Sequence, residues 1–213
     1  TAWVALFEVC RIRSTDRVLI QAAAGGVGTA AVQLAKALGC EVFGTASKDI
    51  KLDLIRQLGA DHPINYHTDD FVEFIRDKTG GQGVDVVLEV VGGEVFRKSM
   101  DVLNPFGRLA VIGFASLNLN RLNPFSWWKT WQDIPRVKID AMATSSQVVG
   151  ASHLGYLLKD TERMMKIWTD LSSYTRQHGL KPIVGHEFKF EEMAEAHRLM
   201  ESRNSQGKII VHI

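Results

Sequence analysis

Short apolar runs alternate with amphipathic segments through the first half of the chain. The apolar runs predict strands over 17–21, 41–46, 62–65, 84–91 and 108–113. Between the first two runs, apolar residues such as Leu34 and Leu38 recur at helical spacing until Gly39. The run 84–91 is almost continuously apolar, which is typical of a parallel strand covered on both faces. Strands that alternate with helices in this way predict an α/β fold with a doubly wound parallel sheet.

The second half of the chain is less regular. Residues 147–152 predict a sixth strand, and apolar residues at helical spacing predict a helix that ends at Gly179. We expect the apolar stripe of this helix to lie in the core: Met164, Met165, Trp168, Leu171 and Tyr174. A helix over 191–202 and a strand over 208–211 follow, and so few elements need a partner surface.

A glycine-rich turn follows the first strand, with the sequence Ala-Ala-Ala-Gly-Gly-Val-Gly over 22–28. Ala23, Gly25 and Gly28 occupy the small positions of a G-x-G-x-x-G pattern. We expect Ala23 at the tight turn, Gly25 where a pyrophosphate approaches the backbone, and Gly28 where the helix packs closely on the strand. The helix start would direct backbone N–H groups and the positive end of its dipole at the phosphates. Because a strand precedes the turn and a helix and second strand follow it, the pattern predicts a dinucleotide-binding βαβ unit.

The end of the second strand bears on which nicotinamide coenzyme binds. An acidic residue there accepts a hydrogen bond from the ribose 2′-hydroxyl and repels a 2′-phosphate. This chain has Ser47 there, followed by Lys48 and Lys51, and a hydroxyl and cations suit a phosphate. NADP(H) is therefore the predicted coenzyme. Asp49 argues for NAD, since a small shift of the loop would bring its carboxylate to the ribose, and Lys48 is also interpretable as a solvated charge.

Two further strand ends carry glycine at the edge where parallel sheets bind ligands. Val91, Gly92 and Gly93 follow one strand, and Gly113 and Phe114 follow another. A small residue there lets a flat nicotinamide ring lie against the backbone, although strands also end in glycine for turn formation alone. Both strand ends are candidate sites for the nicotinamide half.

Composition narrows the classes of function. The chain has 213 residues, 46% hydrophobic and 23% charged, and its net charge of +1 gives no electrostatic reason to expect nucleic acid. Cys10 and Cys40 make neither a disulfide framework nor a cysteine zinc site, which favours a reducing, cytoplasmic location. The scattered histidines predict no metal site, and no Ser-His-acid set suggests a hydrolase. No apolar run has the length of a membrane span.

Aromatic residues are concentrated over 123–131, including Trp127 and Trp128. Packing in the core or at a dimer interface, a wall of the substrate pocket, and contact with a membrane surface are all open interpretations. The chain begins at Thr1 within a predicted helix and without an initiator methionine, so we expect it to be a fragment.

These motifs together resemble the quinone oxidoreductase branch of the medium-chain dehydrogenase/reductase superfamily. The resemblance extends over nearly the whole chain and is carried by residues 1–3, 22–28, 42–47, 59–62, 83–87, 107–109 and 207–209. Residues 62–67 and 153–156, with the pair Trp127 and Trp128, are similar to the vesicle amine transport protein-like members of that branch.

The resemblance implies an enzyme that transfers a hydride from NADPH to a small-molecule acceptor such as a quinone or enone, acting as a homodimer without zinc. By position, Gly25, Gly26, Val27 and Gly28, with Ala24 beside them, would hold the pyrophosphate. The 2′-phosphate would lie among Ser47, Lys51 and Tyr66, which favours Lys51 over Lys48. The nicotinamide end would be bordered by Gly93, Gly113, Phe114, His153 and Leu154, with Val91 and Gly92 adjacent.

Members of this branch also carry a GroES-like substrate domain before the sheet domain, and their last segment folds back into it. The resemblance therefore implies a Rossmann dinucleotide-binding domain over 1–155, and over 156–213 a helix and segment that return to a substrate domain mostly absent here. The catalytic residues stay unknown, because a proton donor or zinc ligands would precede Thr1. Three alternatives remain open: an enoyl reductase acting on thioesters, a coenzyme-binding membrane-peripheral or regulatory protein with little turnover, and a zinc-dependent alcohol dehydrogenase.

Overall fold

The computed structural model describes residues 1–113, 137 and 139–213. Its strands are β1 (Arg17–Ile20), β2 (Glu41–Ala46), β3 (His62–Asn65), β4 (Val84–Glu89), β5 (Leu103–Val111), β6 (Val148–Ala151), β7 (Val184–Lys189) and β8 (Lys208–His212). The α-helices are α1 (Gly28–Leu38), α2 (Asp49–Gln57), α3 (Phe71–Lys78), α4 (Gly93–Asp101), α5 (Ile139–Ser145), α6 (Thr161–Gln177) and α7 (Met193–Glu201). A π-helical segment spans Val4–Val9, and 3₁₀ segments span Leu154–Lys159 and Phe190–Glu192. The aromatic segment 123–131 and Phe114 lie outside the described residues.

Six strands form one parallel sheet in the order β3-β2-β1-β4-β5-β6. All pairings in this sheet are parallel, which confirms the predicted doubly wound α/β fold. The strand order changes direction between β1 and β4, and in such sheets ligands bind at the carboxyl ends of the strands beside this point.

The central strands are buried on both faces, as their apolar composition predicts. Val18 and Ile20 of β1 pack in one apolar cluster, together with residues of α1. Leu19, between them, points to a second cluster that contains Phe43 and Ile75. Because side chains alternate along a strand, this arrangement places a hydrophobic layer on each side of the sheet.

Strand β5 begins earlier than the sequence predicts. Its pairing with β4 runs from Val84 with Leu103 to Val86 with Arg108, so residues 104–107 bulge out between the two pairs. Phe106 in this bulge has φ +61° and is 76% exposed. The predicted start of this strand at Arg108 was wrong. Pro105 and Gly107 suggested an irregular segment before the strand, but they lie in a bulge within it.

The apolar stripe of α6 is only partly buried. Ile167 is buried. Leu171 and Tyr174, at helical spacing from it, pack against the apolar cluster that contains Val18 and Ile20. Met165 and Trp168 are 53% and 63% exposed, so the expectation that they lie in the core was wrong. The division of the chain at residue 155 stays a prediction.

Strands β7 and β8 form a separate two-stranded parallel sheet. The chain entering β8 contacts the glycine-rich turn, because the Gly207 N–H donates to the Ala24 carbonyl oxygen at 2.9 Å. Gly25 and Gly207 also form an isolated parallel bridge. The C-terminal segment is thus held beside the predicted pyrophosphate site. None of the described helices combines the length and apolar character needed to cross a membrane.

Candidate dinucleotide-binding site

A cleft of about 710 Å³ opens at the carboxyl edge of the sheet, beside the reversal between β1 and β4. Residues that follow β1, β2, β3 and β4 line it, and the segment between α7 and β8 closes one side. Six of the predicted site residues lie in its wall: Ala24, Gly25, Ser47, Lys51, Tyr66 and Val91. The structure therefore brings two of the predicted pyrophosphate residues, Ala24 and Gly25, into one cleft with the three predicted 2′-phosphate residues, whereas Gly26, Val27 and Gly28 do not line it.

The turn after β1 is tight, and its left-handed residue is Ala22, with φ +49°. Ala23 follows it as a central residue of the turn, in agreement with the prediction of a tight turn at Ala23. The Ala22 carbonyl oxygen accepts a hydrogen bond from the Gly25 N–H at 3.0 Å. A Cβ at Gly28 would lie 2.6 Å from the Ala23 backbone and nearer still to the Ala22 oxygen. The predicted close packing of α1 on the turn at Gly28 is confirmed.

The amino end of α1 has features that suit an anion. No side chain caps the helix, and its first turn contains no acidic residue. Gly28 and Thr29 are buried at its start, just behind the cleft wall formed by Gly25. Backbone N–H groups and the helix dipole favour negative charge at such an end.

The end of β2 distinguishes the two candidate lysines. Lys51, in the first turn of α2, is 7% exposed, and its Nζ donates to the Arg203 carbonyl oxygen at 2.7 Å. Burial, and to a smaller extent the charge of Lys48, lower the pKa of Lys51. Lys48 is exposed and its Nζ bonds Asn204 Oδ1 at 2.8 Å. A phosphate in the cleft would favour the charged form of Lys51 and oppose both causes of its lowered pKa.

Tyr66 follows β3 and lies next to the end of β2. Its backbone N–H donates to the Ala46 carbonyl oxygen at 3.1 Å. Its side chain is 47% exposed and contacts the ring of His67, with ring centroids 4.6 Å apart. The β3 end therefore adds an aromatic face and a hydroxyl beside Ser47. Asp49, which would favour NAD, is exposed at the start of α2 and does not belong to the cleft wall.

The predicted nicotinamide residues lie along the same sheet edge. Gly92 and Gly93 follow β4 with φ +81° and +58°, conformations that favour glycine. Gly113 follows β5, and a Cβ there would lie 3.6 Å from the Val90 carbonyl oxygen, so the two loops are neighbours. His153 and Leu154 follow β6. Of the described nicotinamide residues only Val91 lines the cleft, and Gly92, Gly93, Gly113, His153 and Leu154 do not.

Buried polar residues that the sequence analysis did not assign lie at the base of the cleft. Gln21 and Thr45 line it, and their side chains are joined by a 2.7 Å hydrogen bond from Thr45 Oγ1 to Gln21 Oε1. Gln21 Nε2 donates in turn to Ser99 Oγ at 3.1 Å. A glutamine that ends an apolar strand directly before a glycine-rich turn is the sequence signal that could have identified this site. Met200, Arg203 and Ser205 also line the cleft, from a segment too distant in sequence to be assigned by pattern.

Glu89 is fully buried at the end of β4. Its Oε1 accepts hydrogen bonds from the Val91 and Gly92 N–H groups at 2.6 and 2.9 Å, and its Oε2 accepts one from Ser99 Oγ at 3.0 Å. Burial raises the pKa of Glu89, and the hydrogen bonds from Gly92, Val91 and Ser99 act in the opposite direction. The carboxylate thus fixes the loop that follows β4.

Within residues 1–113 and 139–213, no three His, Cys, Asp or Glu side chains lie close enough together to hold a metal ion. The described residues therefore do not fit a zinc ion, and no chemical step below is assigned to one.

Comparison with known proteins identifies a dehydrogenase family and several similar proteins. The profile of a family described as zinc-binding dehydrogenase matches residues 26–143. The synaptic vesicle membrane protein VAT-1 homolog of Danio rerio is 38% identical over 99% of this chain and 44% of its own length. A 2-haloacrylate reductase from a Burkholderia species is 34% identical over 99% of this chain and 60% of its own length. The chain spans about half the length of the curated VAT-1 relatives that it matches.

A solved structure shares both the fold and the site region. The mycobacterial protein Rv1454c, complexed with NADPH, superposes with a TM-score of 0.84 at 27% sequence identity. The match covers 100% of this chain and 62% of the mycobacterial chain. The similarity therefore includes the sheet, the glycine-rich turn and the C-terminal segment that closes the cleft.

Proposed function

This chain belongs to the zinc-binding dehydrogenase family, in the quinone oxidoreductase branch of the medium-chain dehydrogenase/reductase superfamily, and from that membership we propose that it binds NADPH and reduces conjugated carbonyl compounds. Members of this family are oxidoreductases that bind nicotinamide coenzymes. The choice of NADPH and the class of acceptor are the finer parts of the proposal.

The observation that carries the choice of NADPH is the buried ammonium group of Lys51 in the cleft wall, next to Ser47. A partly desolvated cation beside a hydroxyl is a favourable partner for a 2′-phosphate. No acidic residue occupies the position of Ser47, where NAD-binding proteins carry one. The NADPH named for the mycobacterial structure also supports this choice.

The chain's role in the reaction is to bind and orient the coenzyme. NADPH, when bound, supplies a hydride from its nicotinamide C4 atom. The backbone of 25–28 and the start of α1 would hold the pyrophosphate, while Ser47, Lys51 and Tyr66 would surround the 2′-phosphate. Residues 91–93 and Gly113 would border the nicotinamide ring and limit its orientations, which would favour transfer from one face of the ring. A proton donor is not assigned among the described residues.

The proposed acceptor is an electron-poor alkene or quinone, because conjugation to a carbonyl group makes a carbon atom of such a compound electrophilic enough to accept a hydride. The name of the Burkholderia relative, a 2-haloacrylate reductase, supports reduction of a conjugated alkene. Acylated carriers with the same conjugated system, the substrates of enoyl reductases, are the main competing acceptors.

Turnover measured on the full protein tests the proposal. NADPH oxidation is followed by its absorbance with a benzoquinone, a conjugated enone, an enoyl thioester and a saturated ketone as acceptors. We expect turnover with the quinone or the enone and none with the saturated ketone. Faster turnover with the thioester would favour an enoyl reductase, and turnover confined to alcohol oxidation with NAD⁺ would contradict the proposal.

Three further parts of the proposal concern the whole protein: it acts as a homodimer, without zinc, in the cytoplasm. Sedimentation velocity, activity after dialysis against a chelator, and cell fractionation test them in turn. Loss of activity on chelation that zinc restores would contradict the second part. A predominantly monomeric protein in sedimentation would contradict the homodimer. Recovery of the protein in the membrane fraction would contradict the cytoplasmic location.

A further inference from the structure

A continuous chain of hydrogen bonds connects the glycine-rich turn after β1 with the loop after β4, and it passes through residues of β2 and α4. It starts at the Ala22 N–H, which donates to Thr45 Oγ1 at 3.1 Å, and continues from Thr45 Oγ1 to Gln21 Oε1 at 2.7 Å. Gln21 Nε2 donates to Ser99 Oγ at 3.1 Å, and Ser99 Oγ donates to Glu89 Oε2 at 3.0 Å. We call the four side chains of this chain, Gln21, Thr45, Glu89 and Ser99, the buried relay; each is 3% exposed or less.

The direction of donation in the buried relay is fixed by its two ends. The backbone N–H of Ala22 can only donate, so Thr45 Oγ1 accepts there, and Thr45 donates its hydroxyl hydrogen to Gln21 Oε1. At the other end, the N–H groups of Val91 and Gly92 also only donate, and both point at Glu89. An ionised Glu89 carboxylate accepts these two bonds and the Ser99 hydroxyl hydrogen, so Ser99 Oγ accepts from Gln21 Nε2 and Gln21 Oε1 accepts from Thr45.

We propose that Glu89 is a positioning residue that couples the loop after β4 to the glycine-rich turn through the buried relay, so that the two halves of the coenzyme bind cooperatively. This inference rests on the proposed function, since it concerns the binding of NADPH in the same cleft. Glu89 itself does not line the cleft. It acts on the Ala22 turn through Ser99, Gln21 and Thr45, and on residues 91–92 directly.

The substitution Glu89→Gln is a specific probe of this coupling. The amide retains an acceptor for the Val91 and Gly92 N–H groups but presents N–H hydrogens to Ser99, which already accepts from Gln21. Ser99 Oγ has two lone pairs, so it can accept from both amides only by leaving its own hydrogen without an acceptor. The proposed coupling is that Ser99 and the Gln21 amide reverse instead. Thr45 then accepts from both Gln21 and Ala22, and its hydroxyl hydrogen loses its acceptor in the buried relay. Leaving a buried polar hydrogen unpaired is costly, so the change reaches the phosphate side of the cleft.

The experiment uses the full protein and two probes: NADPH, and 2′-phospho-ADP-ribose, which lacks the nicotinamide. A purely local role for Glu89 would weaken the binding of NADPH alone, because the loop that Glu89 holds directly would border only the nicotinamide. The buried relay predicts that Glu89→Gln also weakens the nicotinamide-free probe, by about threefold or more. In a Ser99→Ala background, where the chain is already broken, Glu89→Gln should leave the affinity for that probe unchanged.

A second pair of variants leaves Glu89 intact and covers the case in which Glu89→Gln does not fold, as judged by circular dichroism. Thr45→Val removes the hydroxyl and Thr45→Ser keeps it. The buried relay predicts that Thr45→Val and Ser99→Ala combine non-additively in the dissociation constant for the nicotinamide-free probe, whereas Thr45→Ser and Ser99→Ala act like Ser99→Ala alone.

Two results would overturn the inference. One is that the changes in binding free energy for the nicotinamide-free probe are additive in both double-mutant cycles, that of Glu89→Gln with Ser99→Ala and that of Thr45→Val with Ser99→Ala. The other is that Glu89→Gln weakens the binding of NADPH alone. If the unmodified protein binds NADPH while the cycles are additive, the proposed function survives and the buried relay fails. If the unmodified protein binds neither probe, the proposed function fails first.

Discussion

The ammonium group of Lys51 donates a hydrogen bond to the backbone carbonyl oxygen of Arg203, 2.7 Å away and 152 positions later in the sequence. The bond joins the first turn of α2 to the loop between α7 and β8. Nearby, the Gly207 N–H bonds the Ala24 carbonyl oxygen. The C-terminal segment therefore closes the side of the cleft where the 2′-phosphate is expected, and it already holds a desolvated cation there.

Replacing this cation should change coenzyme selectivity. Lys51→Met keeps much of the aliphatic side chain and removes the charge, so NADPH should bind about ten- to a hundredfold more weakly while NADH binding stays the same. Fluorescence titration of the full protein with both coenzymes measures this. Lys48→Met is the matched control, since Lys48 is exposed and bonds Asn204. It should change NADPH affinity by less than about threefold. A larger loss in the Lys48 variant than in the Lys51 variant would reverse the assignment.

The close packing at Gly28 predicts a steric effect on folding. Gly28→Ala places a Cβ 2.6 Å from the Ala23 backbone, and it should lower the free energy of unfolding by about 1–3 kcal/mol. At Gly113 the nearest atom of the described residues to an added Cβ is the Val90 carbonyl oxygen, 3.6 Å away, so Gly113→Ala should change that free energy by no more than about 0.5 kcal/mol. Urea unfolding measures both. Equal stability of the two variants would show that the turn after β1 is looser than described.

Asp70 should stabilise the fold in a pH-dependent way. The hydrogen bond from Lys98, at 2.7 Å, is the main cause that lowers the pKa of Asp70; partial burial opposes it, and N–H groups of Val72 and Glu73 add to it. A carboxyl whose native pKa is lowered stabilises the fold above its unfolded pKa, and loses that effect as the pH falls through the native value. Asp70→Asn should therefore cost about 0.5 kcal/mol at neutral pH, because the ion pair is partly exposed, and nothing well below pH 4.

Asp70 also caps α3, since its Oδ1 accepts the Val72 N–H at 2.8 Å. Asparagine can keep this cap but alanine cannot, so Asp70→Ala should cost about 1 kcal/mol more than Asp70→Asn at every pH. Urea unfolding over a pH series separates the two effects. A difference between the native protein and Asp70→Asn that grows on acidification would contradict the ion-pair account.

The two cysteines should be inert in the folded protein. Burial raises the pKa of Cys10 to about 12 and that of Cys40 to about 11, and both side chains are buried. Because the thiolate is the reactive form, neither should be alkylated by iodoacetamide at mildly alkaline pH until denaturant is added. Mass spectrometry of the labelled protein gives the result. Rapid labelling of Cys40 without denaturant would mean that the loop before β2 opens.

Local patterns were sufficient to predict the sheet and half of the site. Strands β2 and β3 have the predicted bounds, because apolar residues in each are confined to a short run flanked by turn residues. Ala24 and Gly25 of the glycine-rich turn also meet Ser47, Lys51 and Tyr66 in one cleft, because parallel strands present their carboxyl ends at one edge.

The parts that sequence reasoning missed depend on contacts between distant segments. Glu89 and Ser99 are ten positions apart and Gln21 and Ser99 are 78 apart, so no local pattern shows that they share hydrogen bonds. Arg203 reaches the cleft only because β8 returns beside the glycine-rich turn. The exposure of Trp168 was missed for a related reason, since helical spacing identifies an apolar stripe but not which of its edges meets the core.

Calorimetric titration of the full protein with NADPH and with NADH tests the central claim most directly, because it measures coenzyme binding without depending on the acceptor. The account predicts that NADPH binds at least about tenfold more tightly than NADH, as expected for a charge-assisted contact to the 2′-phosphate. Equal or tighter binding of NADH, or no binding heat with either coenzyme, would contradict it.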